Sequence, residues 1–184
     1  MSCQKESNID NPVVVTSTPR LGTLWTYRYL IYNQDGSLSS NQTITHKAKS
    51  EIMLGGEKWL NIVDVIPDTT VYLLNTKTGG LYQYTNNGSN LLCKFPAALN
   101  DTYTTFNEGV LENFTVKSVN EILPTGIGDI PVNYYEGIKN SVLIDLIWYS
   151  DKAWIVRKTQ YRNRSVITPV FYKYYTFYLD SITY

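Results

Sequence analysis

The sequence predicts an all-β domain of about ten strands, an antiparallel meander curled into a barrel or half-barrel. Three observations carry that expectation. Apolar and polar residues alternate with period two along most of the chain, and turn-forming residues recur between short apolar runs. No stretch shows a helical period. Aromatic residues make up 14% of the chain, 16 of them tyrosines, and such side chains suit half-buried strands.

The elements follow in order. Residues 23–32 (TLWTYRYLIY) set Trp25, Tyr27, Tyr29 and Ile31 on one face, with Thr26 and Arg28 opposite. Asn33-Gln34-Asp35-Gly36 then supplies hairpin chemistry, because Asp-Gly accepts the positive φ that tight hairpin turns need. Residues 42–53 alternate Ile44, His46, Ala48, Ser50 and Ile52 against Thr45, Lys47, Lys49 and Glu51, the pattern of a half-buried strand. Gly55-Gly56 turns the chain again. Strands are expected at 57–65, 70–75, 81–85 and 90–95, separated by Pro67-Asp68, Gly79-Gly80 and Asn86-Asn87-Gly88. The stretch 96–109 is expected to be irregular, a loop or one helical turn. Strands resume at 112–122, 130–138, 142–149, 153–162 and 169–183.

The last of these strands raises a question of surface. Phe171, Tyr175, Phe177 and Leu179 share one face by alternation, and Tyr172, Tyr174, Tyr178 and Ile182 share the other. A sheet with one wet side needs only one such face. Tyr172, Tyr174 and Tyr178 are therefore the candidate contacts for a ligand or partner, since Tyr buries area at little entropic cost and keeps a polar handle.

Chemistry is sparse. The single histidine, His46, lies on the apolar side of its strand, so the one residue a Ser-His-acid or Cys-His site must use is expected to be packed. One histidine and two distant cysteines, Cys3 and Cys93, predict no metal centre, and Cys93 reads as a small buried hydrophobe. Gly126-Ile127-Gly128 lacks the third glycine of a dinucleotide loop and is a turn. No catalytic residue and no cofactor are expected, and the domain reads as non-enzymatic. A carboxylate-dependent glycoside hydrolase is the less favoured alternative, with Asp145, Glu136, Asp101 and Glu112 as its candidate acids. Asp145 stands out because Leu143 to Trp148 is otherwise apolar. Lys plus Arg equals Asp plus Glu, sixteen each, so no basic field gathers nucleic acid. Arg157, Lys158, Arg162 and Arg164 read as a solvated strand end.

The chain divides into a polar tether, residues 1–18, and one β domain, residues 19–184. Ser2-Cys3 resembles the end of a bacterial lipoprotein signal, in which a small residue precedes the cysteine that is cleaved and lipidated. Gln4, Lys5 and Glu6 resemble the surface-export signal of Bacteroidetes lipoproteins, although Ser7 and Asn8 stand where that pattern carries more acid. The resemblance implies lipid attachment at Cys3, anchoring to the outer membrane, and a surface-exposed or periplasm-facing address in the cell envelope. Leu21-Gly22, Trp25, Tyr27, Gly80-Leu81-Tyr82, Phe95-Pro96, Ile130-Pro131-Val132 and Trp154 to Lys158 follow a layout similar to that of secreted bacterial β-proteins of unassigned function. The expected function is to bind an apolar, glycan, lipid or peptide ligand without catalysis. The alternative is a structural part of an envelope assembly.

Overall fold

Period-two alternation becomes twelve antiparallel strands, with no helix among the described residues. The computed structural model describes residues 17–107, 110–140, 142–165 and 170–184. Cys3, Gln4, Lys5 and Glu6 lie outside the described residues. The first half of the chain forms β1 (Leu24–Tyr32), β2 (Leu38–Leu54), β3 (Glu57–Asp64), β4 (Thr70–Lys77), β5 (Gly79–Thr85) and β6 (Gly88–Phe95). The second forms β7 (Thr102–Asn107), β8 (Val110–Thr125), β9 (Gly128–Lys139), β10 (Val142–Ser150), β11 (Trp154–Asn163) and β12 (Phe171–Thr183).

All twelve belong to one sheet in the order β6-β5-β4-β3-β2-β1-β12-β11-β10-β9-β8-β7. Each half is a plain meander, and the pairing of β1 with β12 joins them. The sheet curls until its edges, β6 and β7, approach, which gives a nearly closed barrel. No ladder joins those two edges among the described residues. Tyrosine hydroxyls reach across the gap instead: Tyr103 Oη donates to Leu92 O at 2.8 Å and Tyr135 Oη to Lys94 O at 2.6 Å. Side chains thus satisfy strand carbonyls that backbone amides satisfy in a closed barrel.

The barrel is filled. Trp25, Tyr27, Ile62, Leu74, Leu81, Phe114, Val116, Tyr135, Ile147, Val156, Phe177 and Leu179 form one buried cluster. Trp25 stacks on Trp154 at 5.7 Å and its Nε1 donates to Ala153 O, while Tyr27 Oη donates to Ile155 O. The outward residues of β2, Thr43, Lys47 and Lys49, are polar and exposed. On β2 the polar face is turned outward, the reverse of a lipid-facing strand.

Several expectations need correction. β7 occupies part of the stretch expected to be irregular; a turn at Ala98–Asp101, where Asp101 Oδ2 accepts from Ala98 N, precedes it. Gly79 and Gly80 lie within β5 rather than between strands. A one-residue bulge at Lys49 turns Ser50 and Ile52 away from the face that holds His46 and Ala48. Another at Asp180 turns Ile182 inward, opposite Trp25, so it does not share a face with Tyr178. Lys158 belongs to the core, 4% exposed, not to a solvated strand end.

The tip of the long β8–β9 hairpin folds onto β12. Gly126 N donates to Leu179 O, and a Cβ on Gly126 would lie 2.2 Å from Asp180 O. Only glycine permits that approach. On the other side of the same barrel end, residues 19–23 run as a strap, tied by paired hydrogen bonds between Gly22, Thr23 and Ala48.

Candidate functional site

Three places hold polar or aromatic side chains dense enough to act: the interior, the barrel end beneath the strap, and the outer face of β9–β12 with β1.

Inside, Lys158 Nζ lies 3.7 Å from Asp145 Oδ1, and both side chains are almost wholly buried. Glu112 is buried too; its Oε2 would sit 2.9 Å from a Cβ on Gly137, the register partner of Asp145. A charge so placed needs its partners, since desolvation of an ion outweighs a surface pair many times over. The other two candidate acids lie elsewhere. Glu136 is half-buried beside Lys117 and Tyr134, and Asp101 pairs with Lys94. His46 is buried, with Nε2 2.9 Å from Asp64 Oδ1, close but not aligned as a hydrogen bond. Burial holds the imidazole below its ordinary value of 6.5, outweighing the pull of the Asp64 carboxylate. Cys93 is fully buried, and burial pushes its thiol far above the ordinary range. No group of three or more His, Cys, Asp or Glu side chains converges as metal ligands among the described residues.

The interior leaves little room. One void of about 30 Å³ lies among Trp25, Tyr27, His46, Tyr72 and Phe177. A second of about 20 Å³ lies between Leu92, Ile147 and Lys158. Each is of the order of a water site. The roomiest of the three is the end cleft, about 260 Å³, between the strap residues Arg20 and Leu21 and the inner side of β2–β4 at Glu51, Lys58, Leu60 and Thr76. Its floor includes buried Trp154.

The outer face is the most ordered of the three. Cross-strand register sets Tyr134, Trp148, Arg157, Tyr178 and Arg28 in one file across β9, β10, β11, β12 and β1. Directly opposed side chains on one sheet face touch, and these do. Tyr134 stacks on Trp148 at 4.6 Å, and the Arg157 guanidinium lies 4.4 Å from the Trp148 ring centre and 4.9 Å from that of Tyr178. Arg157 is thus held between two aromatic faces, a cation–π arrangement with both rings. Arg28, exposed, contacts Asp180 at 3.5 Å. Tyr134 Oη donates to Glu136 Oε1; burial first and then that carboxylate keep its phenol protonated well above the ordinary range. Beside this file Thr159 and Thr176 are bonded hydroxyl to hydroxyl and buried.

The structure separates the tyrosines that alternation groups together. Tyr178 belongs to the outer file. A bulge between Gln160 and Tyr161 shifts the register, so that Tyr172 pairs with Arg162, which lies on the opposite face from Arg157. Tyr174 touches Tyr172 and Tyr175, packs against the core, and lies under Arg162 at 3.6 Å. Trp148, Tyr134 and Arg28, three further members of the file, carried no signal in their own strands; only the pairing order of four ladders brings them to Tyr178.

Fold and surface together define a nearly closed antiparallel barrel with an aromatic–arginine outer face. No protein-family model matches the chain, and no curated protein matches it. A solved structure from Bacteroides fragilis is similar, that of a protein whose name describes it as exported and YmcC-like in fold. The two share 12% identity over 91% of this chain and 98% of that one, with a TM-score of 0.48.

Proposed function

We propose that this chain is a non-enzymatic lipoprotein domain of the cell envelope, anchored to the outer membrane through lipid on Cys3, that holds a peptide or protein partner on its outer face. The observation that carries the docking reading is the file Tyr134–Trp148–Arg157–Tyr178–Arg28. Tyr, Trp and Arg are the residue types that dominate interface energetics, and Trp148 and Arg157 are held by the rings beside them before any partner arrives. The filled interior speaks against an enclosed apolar ligand, because its two voids are water-sized. Burial of Asp145 and Glu112 inside the barrel speaks against a pair of acids working across a cleft. The address rests on Ser2-Cys3-Gln4-Lys5-Glu6; more than one acyl chain is needed for lasting attachment, and a lipidated amino-terminal cysteine carries several.

Two measurements test this. Mass spectrometry of the full-length protein from its native host is expected to find acyl groups on Cys3; an unmodified thiol there ends the proposed address. A photo-cross-linking side chain at Tyr178 is expected to give a discrete adduct that Trp148→Ala weakens. The same group at Lys47, exposed on β2, is expected to give none, and equal adducts at both positions would remove the docking surface.

The end cleft supports a second reading, a small polar ligand such as one unit of a glycan, since about 260 Å³ is bordered by Arg20, Glu51, Lys58, Asn75 and Thr76. Saturable glycan binding abolished by Lys58→Ala and untouched by Arg157→Gln would favour it.

A further inference from the structure

We infer that the segment docked on this face is acidic, an extended peptide stretch of the partner that presents carboxylates to Arg157 and Arg28; the inference rests on the docking reading above. The chain as a whole carries no net charge, sixteen cationic side chains against sixteen acidic ones. Lys49, Lys58, Lys77, Lys94 and Lys117 each lie within salt-bridge distance of a carboxylate on a neighbouring strand or turn. On the outer face around β12 two cations lie against aromatic rings instead. Arg157 faces Trp148 and Tyr178, and Lys173 lies 3.9 Å from the Tyr32 ring; neither meets a carboxylate among the described residues. Arg28 meets Asp180 at 3.5 Å and keeps 58% of its side chain exposed, so it can still receive a second carboxylate.

Stacking between two rings occupies both faces of the Arg157 guanidinium. It leaves the in-plane N–H groups as the part of the side chain still able to bond, and they match a carboxylate in plane. The Nε itself is buried without a hydrogen-bond partner. The side chain is therefore fixed in place, and an acidic group meets a preorganised donor rather than a flexible one. Arg28 and Arg157 stand in the same file two strands apart, about 10 Å, with Tyr178 between them. A peptide running along the file meets cation, aromatic and cation in turn. Charge complementarity of this kind raises the rate of encounter and fixes register. Trp148 is covered by Tyr134 and Arg157 and 8% exposed, so half-buried Tyr178, between the two arginines, is the ring that a side chain of the peptide can cover.

The test titrates the ¹⁵N-labelled full chain with decaglutamate, using decalysine, a sulfated oligosaccharide and phosphatidylglycerol vesicles as competitors for the assignment. Decaglutamate is expected to shift the Arg157 Nε–H and Trp148 indole signals saturably and to lose affinity as salt rises. Arg157→Gln and Arg28→Gln are each expected to weaken it about tenfold, the loss of one charge-assisted contact, while Arg20→Gln at the end cleft leaves it unchanged. Arg28 is exposed, so its variant reports even where Arg157→Gln disturbs the fold. The inference is overturned if decaglutamate leaves both signals in place or binds the two variants as well as the parent. It is equally overturned if the oligosaccharide or the vesicles move the same signals more strongly. A Tyr178 adduct without decaglutamate binding leaves docking intact and removes its acidic character; decaglutamate binding without the adduct does the reverse.

Discussion

At the scale of single residues, what decides behaviour is whether a polar side chain is sealed in with company. His46 packs against Tyr27 at 5.2 Å and Tyr72 at 6.2 Å, with Asp64 as the charged group beside it. Its folded pKa is lowered chiefly by burial. The unfolded chain therefore binds a proton near pH 6.5 that the folded chain still refuses, and stability must fall as pH drops through that window. The urea midpoint is expected to be flat above about pH 7 and to decline below 6.5, and His46→Gln is expected to remove most of that decline. A decline of the same size in the variant would assign it to other groups. His46 was legible as a packed residue from alternation alone. The burial of Asp145 and Lys158 was not, because each sits in a strand whose neighbours fit either face, and only the pairing of β10 with β11 shows that both point inward. Gly137 was silent for a related reason. Its Cβ would collide with Phe114 Cζ at 2.6 Å, a contact made by another strand.

At the scale of elements, strands were legible wherever period two met a turn signal, and β7 shows what happens otherwise. TYTTFN alternates, with Tyr103 and Thr105 facing in, but Thr105 is a polar residue buried in an apolar layer and the preceding Pro-Ala-Ala suggests a loop. Bulges defeat alternation in a second way. Each adds one residue, and every side chain beyond it changes face. The slips at Lys49, at Asp180 and beside Tyr161 are the reasons that Ile52, Ile182 and Tyr172 lie where alternation does not put them. β7 also sets the gap in the sheet, where tyrosine hydroxyls stand in for a ladder. Tyr103→Phe and Tyr135→Phe each strand a β6 carbonyl in a partly dry site, which costs about 1–3 kcal/mol. Hydrogen exchange is expected to quicken in β6 far more than in β2, which is paired on both sides. Uniform quickening over the barrel would mean that the hydroxyls contribute to global stability without holding the gap.

At the scale of the molecule, the sequence showed a curled meander but not where the curl opens. Composition and alternation say nothing about which strands are edges; that follows from β1 pairing β12, a contact between the two ends of the described chain. The outer file is a consequence of the same closure, since it crosses the β12–β1 junction. Closing that junction brings together the most distant segments of the chain, and such contacts slow folding because loop entropy is lost before the contact forms. The topology offers a direct test. Opening the chain between Ala98 and Leu99 and joining Tyr184 to Pro19 by a short Gly-Ser linker turns the strand order into an unbroken meander from β7 through β12 and β1 to β6. Every ladder then links consecutive strands, and the 96–101 connection it removes spans edges that share no ladder. The permutant is expected to keep the barrel, with unchanged near-ultraviolet dichroism, and to refold roughly tenfold faster in stopped-flow experiments. Equal or slower refolding would place the rate-limiting step away from the β1–β12 junction. A permutant that fails to fold would instead give the 96–101 link, with Phe95 packed on Tyr149 and Asp101 bound to Lys94, the task of holding the two meanders together.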